Sequence, residues 1–197
     1  MDDISNTKSR FFYNCILRNK SSRPLSRERY WQVVMTCDDI NFDRIYIKNF
    51  CHIKDKKLAE FKFKVIHGIL PCNVNLHKWK IRNTKACSIC GHDESVEHLL
   101  YNCQYAVKIW NEFNTSTGLK VDLHDVILTH NDNDSNFVIC LVAYLMYKEW
   151  LMKSLDDNVR SNTPSMDNFK ADLEYRRKIY DHLQLKGVCR LIGMLVL

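Results

Sequence analysis

The sequence predicts a mainly α-helical fold interrupted by one small hairpin. Three observations predict it. Apolar residues recur at helical spacing through most of the chain. Five glycines and three prolines in 197 residues are too few for the turns of an all-β fold. One polar, turn-rich segment, residues 85–103, breaks the helical pattern and holds three of the nine cysteines.

Met1–Arg10 is polar and expected to fray. Arg10–Arg18 reads as a short helix bearing Phe11, Phe12, Ile16 and Leu17, and Asn19–Pro24 as a loop. Ser26 is a candidate cap for a helix through Met35, with Tyr30, Trp31 and Val34 on one face. Asn41 is placed to cap the next, where Ile45, Tyr46, Asn49 and Phe50 recur at helical spacing. Lys57–Leu70 is the clearest amphipathic helix. Leu58, Phe61, Val65, Ile66 and Ile69 form its stripe, Lys57, Lys62 and Lys64 fall outside it, and Pro71 ends it. Asn73 caps a short helix with Val74, Leu76 and Trp79, and Lys85–His92 forms the hairpin turn.

Ser95 is expected to cap a helix through Val96, His98, Leu99 and Leu100. Gln104–Asn114 continues as a helix with Tyr105, Ile109, Trp110 and Phe113 inward, stopping near Gly118. Asp122 is placed to cap Leu123–Leu128, and His130–Asn136 is a polar loop. Phe137–Leu155 reads as a long buried helix. Its apolar run, Phe137–Tyr147, is eleven residues, short of the ~20 that a membrane span needs. Asp157–Ser165 is a linker. Met166–Leu185 is a helix of mixed charge whose apolar side is Phe169, Leu173, Ile179 and Leu183. The tail from Val188 to Leu197 is apolar apart from Arg190.

The segment CSICGHDESVEHLLYNC contains the pattern C-x2-C-x7-H-x4-C, formed by Cys87, Cys90, His98 and Cys103. Thiolate sulfur and neutral imidazole nitrogen suit a tetrahedral zinc site, and four protein donors leave no open position, so the expected zinc is structural. A C-x2-C pair lets one tight turn aim two sulfurs at one ion, and Gly91 supplies the positive φ such a turn needs. Burial as small hydrophobes explains these cysteines poorly in so polar a segment. His92 is close enough to be a rival ligand, or else a loop residue. The expected fold is thus mainly α, a helical domain with a small zinc-knuckle hairpin. Three parts are expected: an N-terminal helical segment, 1–36; a zinc-binding domain, 37–130; and C-terminal helices and tail, 131–197.

Cysteine usage points to a reducing, intracellular setting, nucleus or cytoplasm. The count is odd, the spacing is scattered, and no signal peptide opens the chain. Net charge is +6 and uneven. Within residues 44–85 eleven basic residues face only Asp55 and Glu60, a net +9, and this block directly precedes the metal motif. Such a block is either a contact surface for phosphates or a solvated helix face. The candidate nucleic-acid residues are Lys62, Lys64, Lys78, Trp79, Lys80, Arg82 and Lys85. Trp79 is read two ways, as packing on the knuckle or as a stacking platform for an unpaired base.

Several catalytic classes lack their motifs. There is no P-loop, no G-x-S-x-G and no H-E-x-x-H. Asp38-Asp39 is preceded by Thr36-Cys37, without the aromatic residue of a polymerase metal hairpin. The chain is expected not to be an enzyme.

One ordered set of motifs resembles a known family. Phe63, Lys64, His67, Ile69, Leu70 and Pro71 are followed by Asn73 or Asn75, Leu76, Trp79 and Ile81. Cys87, Cys90, Glu97, His98, Leu99, Cys103 and Trp110 come next. Together they resemble the zinc-binding domain at the C-terminal end of non-LTR (LINE-like) retrotransposon reverse transcriptases, over residues 26–186. The resemblance implies zinc binding and contact with template RNA or target DNA. With no polymerase portion in the sequence, it also implies a detached C-terminal piece: a co-opted module, a partial gene product, or a relic without function. The expected partners are RNA or DNA bound without sequence preference, and a polymerase or other protein, with no membrane. The alternative function is a zinc-stabilised protein-interaction module.

Overall fold

The structure, a computed structural model, describes residues 25–155 and 166–196. The helix expected over residues 10–18 and the linker expected over 157–165 lie outside the described residues. The chain divides into two compact units, residues 1–38 and 39–197. The second unit holds both the metal segment and the helices after residue 131. Among the described residues there is no strand, and no helix is long and apolar enough to cross a membrane.

The first unit contributes helix α1, Leu25–Val34. Ser26 lies inside its first turn and does not precede it. The Arg27 guanidinium stands 4.7 Å from the Tyr30 ring centre, and Gln32 donates from its side chain to the Asp38 carbonyl at 2.8 Å.

In the second unit, α2 (Phe42–His52) starts where Asn41 Oδ1 accepts from the Arg44 N–H, the expected cap. Helix α3 (Lys56–Ile66) is capped by Asp55, whose Oδ1 accepts from Lys57 and Leu58 N–H groups. The other oxygen of Asp55 accepts from Arg176 at 3.2 Å and from the Tyr180 hydroxyl at 3.1 Å. One carboxylate thus starts one helix and holds another. Helix α3 ends four residues before the expected Leu70. Gly68 takes φ 61°, and the Ile69 and Gly68 N–H groups turn back to Lys64 and Val65 carbonyls. This reversal satisfies the last carbonyls and leaves Ile69 46% exposed, outside the stripe assigned to it.

Helix α4 (Asn73–Lys78) leads to the metal segment and a π-helical turn, His98–Asn102. Helix α5 (Gln104–Thr117) ends at Gly118, and α6 (Leu123–Ile127) begins with a reciprocal capping box between Asp122 and Asp125. Helix α7 (Asn133–Leu155) is the centre of the unit. It packs against α3, α6, the π turn, α8 (Met166–His182) and α9 (Lys186–Val196). Surrounded in this way, its middle is apolar all round, and every residue from Phe137 to Ala143 is buried. The helix starts earlier than expected because Asp132 Oδ2 accepts from the Ser135 N–H. Buried Asn49 and Asn136 side chains bond each other and the Leu128 and His130 backbone, tying α2 to the α6–α7 corner.

One expectation is corrected. On α8 the buried side is Phe169, Leu173 and Tyr180, while Ile179 is 40% exposed and Leu183, just past its end, 62% exposed. Tyr180 is drawn in by its bond to Asp55 and by an edge contact with Phe137, and this sets the rotation of the helix. The tail is a helix, α9, burying Val188, Leu191, Ile192 and Leu195.

Lys62, placed outside the apolar stripe by its charge, is 1% exposed and donates to the Val126 carbonyl at 2.8 Å. Burial depresses its pKa to about 8. Between that value and the unfolded value of about 10.4 the unfolded state binds the extra proton, so this group makes stability rise with pH. Below that folded-state value the cost of the buried charge is present in full. Denaturation of the parent and of Lys62→Met at about pH 7 and about pH 10 tests this. The variant is expected to be more stable near neutrality, by a few kcal/mol at most because the Val126 carbonyl loses its donor, with that advantage shrinking at the alkaline value. An equal stability difference at both values would contradict the assignment.

Candidate metal centre

The turn at Cys87 is closed by backbone bonds from Cys87 N–H to the His92 carbonyl and from Gly91 N–H to the Cys87 carbonyl, at 2.7 and 2.9 Å. Gly91 has φ 77°, the conformation expected of it. The hairpin is reduced to a single antiparallel bridge between Ala86 and Asp93, with Glu94 N–H bonded to the Lys85 carbonyl at 2.8 Å. His92 serves through its carbonyl. Its ring is exposed and stands 6.2 Å, centre to centre, from that of His98.

Ser95 Oγ accepts from the His98 N–H at 3.2 Å, as a capping residue should. After Val96 and Glu97, which are α-helical, the turn is not. Cys103 N–H bonds the His98 carbonyl at 2.8 Å, closing a five-residue π turn. In an α-helix, residues five apart point about 140° away from each other, at 3.6 residues per turn. The wider π turn returns Cys103 to the side of His98, which is how an H-x4-C spacing serves one ion. The Trp110 indole N–H donates to the Leu100 carbonyl at 2.7 Å and pins this turn to α5.

The four donor atoms of Cys87, Cys90, His98 and Cys103 lie within 4.8 Å of one another. Cys87 and Cys103 sulfurs are 3.8 Å apart, and Cys90 Sγ is 3.2 Å from His98 Nε2. A tetrahedral site with Zn–S bonds of about 2.3 Å has an S–S edge of about 3.8 Å, whereas a disulfide would need about 2.05 Å. The donor set and its spacing fit zinc. The bond from Cys87 pushes Cys103 down to about 7, and the same bond, with burial, pushes Cys87 up. His98 is 9% exposed, and burial, then His92, hold its pKa below the usual histidine range. Its imidazole is thus a neutral donor at neutral pH.

A buried polar clamp supports the site, and its centre, Glu94, carried no signal in the sequence. This residue is 0% exposed. Its Oε1 accepts from the Asn73 N–H at 3.1 Å, and its backbone carbonyl accepts from the Val74 N–H at 3.1 Å. Burial pushes its carboxyl pKa up, against the Asn73 N–H bond that lowers it. Asn73, expected as a cap and as one of two candidate asparagines of the motif set, is instead the first residue of α4, behind Cys72; it donates from its side chain to the Ala86 carbonyl at 2.8 Å and accepts from Arg82 at 2.5 Å. Nothing in the sequence marks Glu94 as buried, since its neighbours Asp93 and Ser95 are polar.

The basic candidates separate. Lys78, Trp79, Lys80 and Lys85 are exposed, Trp79 by 43%. Lys80 takes the left-handed conformation, φ 61°, and closes α4 with bonds from Lys80 and Ile81 N–H groups to His77 and Leu76 carbonyls. Lys64 is half-exposed and paired with Glu60 at 2.7 Å. Arg82 is half-buried, tied to Asn73 and 5.8 Å from the Trp150 ring, so it braces the fold. Lys62 is inside the core and cannot reach a ligand.

Residues 25–110 match the model of the zf-RVT family, described as zinc-binding in reverse transcriptase. Over that segment the match supports the zinc-binding, reverse-transcriptase part of the resemblance drawn from the sequence, and zinc is the cofactor that the four-donor cluster fits. No curated protein and no solved structure matches the chain.

The purified protein is expected to carry one zinc per chain, and Cys87→Ser with Cys103→Ser to carry none; metal analysis giving full zinc in the double variant would refute the ligand set. Acid competes at three thiolates and one imidazole, so zinc release is expected on lowering the pH below the usual histidine range, with a dependence steeper than one proton. An indicator-dye titration following a single-proton curve would contradict four-donor binding.

Proposed function

We propose that the chain is a non-catalytic nucleic-acid-binding module whose zinc is structural. It binds RNA or DNA without sequence preference, in the nucleus or cytoplasm. One observation carries the reading. Between Glu60 and Asp93 the chain contains no acidic residue, and the exposed side chains next to the metal turn include Lys78, Trp79, Lys80 and Lys85. Zinc and the Asn73–Glu94 clamp hold this cationic rim in a set shape. Lysines there meet phosphates, which give affinity without base information. Trp79, exposed at the end of α4, offers a ring face to an unpaired base. Zinc fixes the rim and leaves the contacts to side chains, because four protein donors fill its coordination.

Binding of RNA measured by anisotropy across a salt series tests this. Replacing Lys78, Lys80 and Lys85 with alanine is expected to weaken binding for all sequences alike and to flatten the salt slope by up to ~0.7 per lost contact on single strands. Arg82 is left in place because it braces Asn73. Trp79→Ala is expected to cost ~1–3 kcal/mol of binding with zinc content and helicity unchanged. No binding by the parent at low salt would overturn the reading and leave the protein-interaction module in its place.

A further inference from the structure

Away from the metal rim, α2 and α3 carry a row of rings at their surface seam. Tyr46 lies 5.6 Å from His67, His67 stacks on Phe63 at 4.0 Å, and Phe63 lies 6.1 Å from Phe50, centre to centre. Phe50 is 51% and Phe63 38% exposed, and Ile47, one turn before Phe50 on α2, is 64% exposed. The cores of both helices are complete without these rings, through Phe42, Ile45 and Asn49 on α2 and Leu58, Phe61, Val65 and Ile66 on α3. The connection between the helices adds exposed Lys54, and the first turn of α3 adds exposed Lys56 and Lys57. Nearby acids are already engaged: Glu60 with Lys64 at 2.7 Å and Asp55 with Arg176 at 3.2 Å. An aromatic row beside uncompensated lysines suits a polyanion whose bases are free to stack.

We propose that the Tyr46–His67–Phe63–Phe50 row is a second nucleic-acid contact that selects single strands by base stacking. The proposal rests on the nucleic-acid reading above and adds a surface and a preference to it. In a duplex the base faces are covered by their neighbours, so a row of rings gains little from it, whereas an unpaired strand presents each base face. The exposed lysines at the α2–α3 corner, on the same two helices as the row, neutralise the strand's phosphates. An apolar protein surface would draw on the same rings without needing their π faces.

The test compares a single-stranded oligonucleotide with a blunt duplex of equal length, on the zinc-loaded protein. The parent is expected to prefer the single strand. Phe50→Ala/Phe63→Ala is expected to lose affinity for it by about tenfold or more, with duplex binding and salt slope unchanged. Phe50→Leu/Phe63→Leu keeps apolar bulk and guards against a folding defect; it is expected to lose single-strand affinity too, with parental zinc content. Restored binding in the leucine variant would mean an apolar contact, of the kind a protein makes, and would overturn stacking. Parental binding in the alanine variant, while the Lys78/Lys80/Lys85 variant is impaired, would overturn this proposal alone. A parent that binds neither ligand would overturn the underlying reading.

Discussion

The convergence of four donor atoms between Cys87 and Cys103 is the constraint on which this part of the fold depends. Residues 85–103 have one β-bridge and a π turn, neither of which is stable by itself. The segment does insert Val96, Leu99 and Leu100 into the core, but these anchor only its second half. The Cys87–Cys90 turn has no comparable anchor, since Ser88, Ile89 and Gly91 are exposed. Zinc joins that turn to the π turn and makes one body of both.

The clamp beneath the metal turn extends this order towards the rim. Asn73 touches three partners through its side chain and backbone: Ala86, Arg82 and Glu94. These bonds span from the start of α4 to both sides of the bridge. They fix the path of residues 79–85, where Lys80 accepts a left-handed backbone and Trp79 stays at the surface. Placing a buried carboxylate there is costly unless its hydrogen bonds are retained. Glu94 therefore contributes to a specific arrangement more than to net stability. A rim so constrained presents its charges without the entropy loss of ordering a loose loop on binding.

The helical character, the caps at Asn41 and Asp122, and the donor spacing were legible in the sequence because each is set locally. A capping side chain reaches two or three residues, and a C-x2-C turn needs only its own glycine. Less was legible where tertiary contacts decide. Lys62 looked like a surface lysine, yet it occupies the α3 face opposite Val126. Ile179 and Leu183 looked buried until Tyr180 bonded Asp55 across the unit. Arg82 looked like a phosphate ligand, but its partner is Asn73. The π turn was hidden because periodicity over five residues does not distinguish it from an α-helix. The role of Glu94 depends on Asn73 and Val74, far earlier in the chain, and left no local mark.

Amide hydrogen exchange before and after chelation is the sharpest test of zinc as the organiser of this segment. Zinc removal, verified by metal analysis, is expected to expose amides of residues 85–103 first, while α7 amides between Phe137 and Met146 keep their protection. Unchanged protection across 85–103 in the zinc-free protein would contradict that role, because the segment would then be held by its protein contacts alone.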